Sequence, residues 1–192
     1  DIYDGELSQR DRAFASLRRA FTIDSPRQDV LEAMERLAEK SGAYDDLTAA
    51  LEDAVGSVED PNQQVQLLQS LSGLYRDKLR RPDLAATSLR RLLEIEPHNA
   101  PALASLEAIY REAKSLQDLA WVLARQAESS TDPEKTRDLL VQVAQIREEQ
   151  LGDLDGAVEA YRRVFETHPG DVHAAKQLDR LYQATNRWEE AA

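Results

Sequence analysis

The chain has 192 residues, no cysteine, and 24 basic against 36 acidic side chains for a formal charge of −12. At about 100–200 residues per domain this is one or two domains with enough apolar material for a core. The absence of cysteine excludes a disulfide scaffold, cysteine-ligated zinc and a thiol nucleophile; the acidic balance argues against a nucleic-acid partner, and no apolar run approaches the ~20 residues of a membrane-spanning helix.

Taken in chain order, the apolar spacing predicts helices over 8–23, 27–40, 44–57, 61–80, 82–96, 99–114, 116–129, 133–151, 153–168 and 171–184, with a stub from 187. Leu31, Met34, Leu37 and Ala38 form one helical stripe, and Leu47, Leu51, Ala54 and Val55 the next. Leu67, Leu68, Leu71, Leu74 and Tyr75 make a third, followed by Ala85, Ala86, Leu89, Leu92 and Leu93. Ser25-Pro26, Asp60-Pro61 and Asp132-Pro133 each set a capping side chain before a proline suited to a first helical turn. Gly42, Pro82 and Gly152 fall where stripes end. Strand alternation and hairpin dipeptides are absent, so the fold class is all-α. Connections of two to four residues make consecutive helices antiparallel.

The chain repeats itself at 72-residue spacing: Leu17-Arg18-Arg19 recurs as Leu89-Arg90-Arg91 and again as Tyr161-Arg162-Arg163. The same gapless offset superposes Ile23 on Ile95, Leu31 on Leu103, Leu47 on Leu119, Leu51 on Leu123, and Asp60-Pro61 on Asp132-Pro133. The arginine of each doublet precedes an acid at a fixed spacing: Arg18 and Glu35, Arg90 and Glu107, Arg162 and Asp179. Such pairs are expected to form an ionic ladder between successive repeats.

Leu68, Leu71, Tyr75, Ala85, Leu89, Leu92 and Pro97 follow the order of large, aromatic, small and closing proline residues of a tetratricopeptide repeat (TPR), which the chain resembles along its whole length. Leu140, Val143, Ala157, Tyr161, Val164 and Pro169 repeat that order, with Arg147 in place of the tyrosine. Glu35 and Glu107 stand where the family normally has glycine or alanine. The resemblance implies a right-handed superhelical solenoid of antiparallel helix pairs, occupying 1–192 as a single domain built on a 72-residue double repeat. Its parts would be a leading helix 8–23, pairs 27–57, 61–96, 99–129 and 133–168, and a truncated pair 171–192. The general texture, with unequal half-repeats, is similar to long bacterial TPR arrays of myxobacterial type. Both ends fall inside a repeat, so a fragment of a longer array is expected. Leu178, Leu181 and Tyr182 would then be exposed where a neighbour is missing, allowing end-to-end self-association.

No phosphate loop, GxSxG elbow or HExxH motif is present, and no catalytic residue, cofactor site or metal site is assigned. His168 and His173 flank one turn, and with Asp171 or Glu166 they would make a thin metal set; exposed turn histidines are the favoured reading, as for His98. Acid pairs such as Asp45-Asp46, Glu148-Glu149 and Glu189-Glu190 read as solvated faces. The resemblance implies that first helices line a concave groove for a peptide or a partner helix. In this register the lining is Glu32, Arg36, Gln69, Ser70, Gly73, Ala104, Ser105, Ala108, Val141, Gln142, Gln145, Lys176, Gln177 and Arg180. Lys176 and Arg180 resemble part of a basic clamp for a terminal carboxylate, but Ala104 and Ala108 stand where its remaining members would be. The expected role is a non-catalytic scaffold with a protein or peptide partner, and with neither nucleic acid nor membrane as partner. The alternatives are a structural spacer or a regulatory module of a larger protein, and the compartment is open between cytoplasm and periplasm.

Overall fold

The structure, a computed structural model, describes residues 12, 14–16 and 28–185. Most of the expected helix 8–23, the Ser25-Pro26 cap and the stub from 187 lie outside the described residues. Among those described there is no strand, and the chain runs from helix to helix. It divides into two compact units, one ending at Glu96 and the other beginning at Pro97.

The first unit contains α1 (Gln28–Ser41), α2 (Tyr44–Ser57), α3 (Pro61–Gly73) and α4 (Pro82–Ile95). The second contains α5 (Ala100–Ala113), α6 (Leu116–Ser129), α7 (Pro133–Gln145), α8 (Leu154–Thr167) and α9 (Val172–Ala184). Each start in the first unit recurs 72 residues later, and the shared capping chemistry shows why. Asp60 accepts from the Asn62 amide and Asp132 from the Glu134 amide, each just before a proline that cannot donate. Asn99 caps Ala102 and Asp171 caps Ala174 in the same way.

The expected helices 61–80 and 133–151 are corrected in their last turns. α3 continues as a π-turn over Leu74–Lys78 and α7 as one over Ile146–Gln150. In both copies a wider hydrogen bond closes the turn, Leu79 N–H to the Leu74 carbonyl at 3.0 Å and Leu151 N–H to the Ile146 carbonyl at 3.1 Å. A left-handed residue follows each, Arg80 and Gly152.

Within each unit every helix packs on the one before it: α1, α2, α3 and α4 in order, and α5 through α9 in order. Their connections are too short for anything but antiparallel neighbours. The buried stripes supply the cores: Met34, Leu47, Leu51, Leu68, Leu71 and Leu92 in one unit, Leu103, Leu106, Leu123, Leu140 and Tyr161 in the other. The buried Thr48 and Ser88 hydroxyls donate to the Asp45 and Leu84 carbonyls.

One expectation is overturned, and a second fails in the one copy that can be followed. Leu178, Leu181 and Tyr182 are buried rather than exposed, at 9%, 0% and 6% accessibility. They form the apolar stripe of α9, a helix that packs on α8, so they offer no open apolar face for end-to-end association. The second is the arginine ladder. Of its three pairs, Arg18 lies outside the described residues, Arg90 and Glu107 belong to different units, and Arg162 makes no ion pair with Asp179. In the two described doublets the second arginine reaches back two helices: Arg91 to Glu52 at 2.6 Å and Arg163 to Glu128 at 3.5 Å. One step along a helix rotates a side chain by about 100°. Arg91 and Arg163 therefore point to the preceding second helix, whereas Arg162 points to solvent.

Candidate functional site

A concavity lies in the second unit, between α5, α6 and the start of α7. It has a volume of about 710 Å³. Ala100, Leu103 and Ala104 of α5 and Leu139 of α7 give it small apolar walls, while Gln126, Ser129, Glu134, Lys135, Asp138 and Gln142 supply polar groups. The small residues of α5 leave room beside the helix backbone, and the Asp132 cap fixes where α7 begins and hence where its first-turn side chains stand.

A chain of hydrogen bonds braces this cleft. Gln126 of α6 donates to the Glu107 carboxylate at 2.8 Å, and Arg111 donates to the other oxygen of the same carboxylate at 2.9 Å. Arg111 also donates to the Gln142 side-chain oxygen at 3.2 Å. Three helices are thereby tied through one half-buried carboxylate, whose side chain is 26% accessible. Glu134 and Asp138, at 78% and 66%, stand open on the α7 wall one turn apart. Asp138 also faces Arg137 at 3.0 Å, so the wall carries mixed rather than uniformly negative charge.

Of the residues expected to line a groove, Ala104 and Gln142 line this cleft. Ser105, Ala108, Val141 and Gln145 lie on the same helices without lining it. Glu32 and Arg36 lie on α1, where they pair with each other at 3.3 Å, and Gln69, Ser70 and Gly73 lie on α3. Lys176, Gln177 and Arg180 lie on α9. Arg180, though exposed, donates to Glu148 at 2.5 Å and to Gln177 at 2.7 Å, so its guanidinium is engaged by partners of its own chain. Sequence reasoning missed the contribution of α6 and of the first turn of α7, because it looked for lining only on the inner faces of first helices. The Asp132-Pro133 cap was the available signal, since it places Glu134 and Lys135 at the mouth.

The histidines are held apart from one another. His98 contacts the Ser129 hydroxyl at 2.9 Å, and His168 lies 3.2 Å from the Thr167 hydroxyl and 3.6 Å from Glu134. His173 sets its ring edge-on to Tyr161 with centroids 6.1 Å apart. Asp171, the cap of α9, is nearly buried and is tied to Arg137 of α7. The Ala174 amide and the Arg137 guanidinium hold its carboxyl below the usual carboxylate range, against the opposing effect of burial. Burial pushes the Tyr75 and Tyr161 phenols upward. No helix among the described residues is long and apolar enough to cross a membrane.

No family model and no curated protein matches the sequence. Among solved structures the chain is similar to MamA, with 21% identity, 85% of each chain covered and a TM-score of 0.44. It is also similar to YrrB, described as a TPR protein with an unusual peptide-binding site, at 18% identity, 88% and 84% coverage and a TM-score of 0.43. A tetratricopeptide repeat protein from Parabacteroides merdae matches at 16% identity over 98% of this chain and 72% of its own, with a TM-score of 0.45.

Proposed function

We propose that the chain is a non-catalytic interaction module that holds a segment of a partner protein in the cleft between α5, α6 and α7. The observation that carries this reading is the cleft itself, an open volume of about 710 Å³ in which Ala100, Leu103, Ala104 and Leu139 are interspersed with polar side chains from all three helices. A site of that composition gives a peptide apolar contact and fixed hydrogen-bond partners together. The Glu107, Arg111, Gln126 and Gln142 network keeps the walls in place before anything binds, which lowers the ordering cost of association.

The test is selection of binding peptides on the native chain from a displayed random library, followed by measurement of the selected peptides on an Ala104→Arg variant. Ala104 is exposed, so the longer side chain fills the cleft without entering the core. Loss of binding with an unchanged melting temperature supports the reading. Undiminished binding places the contact elsewhere on the chain and overturns it.

A further inference from the structure

His168 follows the last turn of α8, and its backbone is held on both sides. Its amide donates to the Val164 carbonyl at 2.8 Å, and its carbonyl accepts from the Asp171 amide at 3.0 Å. The side chain is 21% accessible. Among the described residues its polar neighbours are the Thr167 hydroxyl, 3.2 Å from Nδ1, and the Glu134 carboxylate, 3.6 Å from Nε2. The Thr167 hydroxyl has one proton, and it is directed at the Arg163 and Val164 carbonyls, 3.1 and 3.0 Å away. Toward Nδ1 the hydroxyl oxygen is therefore an acceptor, and Nδ1 must bring the hydrogen. Glu134 requires the same of Nε2. A neutral imidazole carries one N–H, so either tautomer serves one contact and sets a lone pair against an oxygen at the other. The imidazolium, with a hydrogen on both nitrogens, serves both. The end of α8 favours the same charge, since the last carbonyls of a helix are left without internal donors.

His98 supplies the contrast. Its Nδ1 lies 2.9 Å from the Ser129 hydroxyl, whose proton goes to the Arg125 carbonyl at 2.9 Å, and no described carboxylate pairs with its other nitrogen. One neutral tautomer satisfies it. The two histidines hold the two ends of one segment: Ser129 ends α6, Glu134 lies in the first turn of α7, and both line the cleft. Other charged groups at this end of α8 are engaged elsewhere. Asp171 is tied to Arg137 of α7, Asp138 faces the same Arg137, and Arg163 pairs with Glu128 of α6. His173 of α9 sets its ring on Tyr161. Among the described residues, Lys135 of α7, Glu166 of α8 and Lys176 of α9 make no hydrogen bond or ion pair with the His168 ring. We propose that His168 is a proton-operated clasp between the end of α8 and the first turn of α7: charged, it holds Glu134; neutral, it releases that carboxylate at the mouth of the cleft. Histidine exchanges its proton between about pH 5 and 8, so the clasp closes on the acid side of that range. What a released Glu134 offers a bound segment rests on the reading of the cleft as the binding site; the clasp itself does not.

The test follows the full chain by NMR with no peptide present, so the clasp and the cleft reading can fail separately. Two signals are read at about pH 6 and about pH 8. One is the Glu134 side-chain carboxyl carbon. The other is hydrogen exchange of the Thr136 amide, which donates to the Asp132 carbonyl at 2.9 Å and closes the first turn of α7. Compared with His168→Ala at the same pH, the native Thr136 amide is expected to exchange about two- to fivefold more slowly near pH 6, the scale of a partly exposed ion pair, and equally fast near pH 8. The Glu134 carboxyl resonance is expected to move in step with the His168 ring signals, and to lose that step in His168→Ala. His168→Arg, charged throughout, should slow Thr136 exchange equally at both pH values. His98→Gln should leave the pH dependence in place. The proposal is overturned if native and His168→Ala chains differ equally at both pH values or not at all. It is overturned too if the Glu134 step survives His168→Ala, or if the pH dependence disappears in His98→Gln.

Discussion

Gly42, Arg80, Lys114 and Gly152 hold positive φ angles of 76°, 56°, 53° and 67°. They are two positions, each seen twice at the repeat spacing, with glycine in one copy and a basic residue in the other. A side chain in this region costs about 1–2 kcal/mol, and glycine avoids that cost. Arg80→Gly and Lys114→Gly are therefore each expected to stabilise the chain by about 0.5–1 kcal/mol, seen as a rise of roughly 2–4 °C per kcal/mol in a thermal melt. Asp171 gives a prediction of opposite character. Its folded pKa is lowered, so the stability it contributes is complete above the ordinary aspartate range and is lost as pH falls through the folded value. Asp171→Asn keeps a capping oxygen but loses the charged tie to Arg137. It is expected to cost about 1 kcal/mol at neutral pH and to flatten the acid limb of the stability curve, measured by urea unfolding across pH.

At the scale of the element, Arg147 and Gly156 explain each other. Arg147 replaces the buried Tyr75 of the first unit, and Gly156 replaces Leu84. The Arg147 guanidinium donates to the Gly156 carbonyl at 3.1 Å, and Asp153 accepts from the Gly156 amide at 2.9 Å. A methyl at position 156 would lie 2.0 Å from the Asp153 carboxylate and 2.8 Å from the Arg147 Cδ. Gly156→Ala is expected to break this cap at a cost of about 1–2 kcal/mol, and to cost less in an Asp153→Ala background, where the cap is already gone. A double-mutant cycle in urea measures that coupling. The helices themselves were legible in the sequence because an apolar period of 3.6 and an Asp-Pro cap are local signals. The π-turns were not, because a single widened hydrogen bond leaves the apolar stripe intact: Tyr75 and Ile146 are buried on either reading.

Across the whole molecule, stability rests on the apolar layers rather than on the ionic ties. Leu51→Ala and Leu106→Ala, at fully buried sites, are each expected to cost about 2–5 kcal/mol in equilibrium unfolding. Arg91→Ala and Arg163→Ala, which break partly exposed pairs, are expected to cost less than about 1 kcal/mol. The same contrast sets how far the lining of the cleft could be read. Ala104 and Gln142 were found because first-helix inner faces follow from the repeat register. Gln126, Ser129 and Asp138 were not, since their convergence depends on how three helices pack.

Helix beginnings return after 72 residues, with the Asp60 cap repeated as Asp132 and the Asn99 cap answered by Asp171, and with connections of two, three, three and four residues in the same order. A genetic crossover between positions one such interval apart would join Asp60 to Pro133, or Asn99 to Val172, and meet the same local chemistry on both sides of the scar. Arrays of this kind can therefore lengthen or shorten by unequal recombination without inventing a junction, and each duplicated copy is then free to diverge, as the second has by setting Arg147 and Gly156 where the first holds Tyr75 and Leu84.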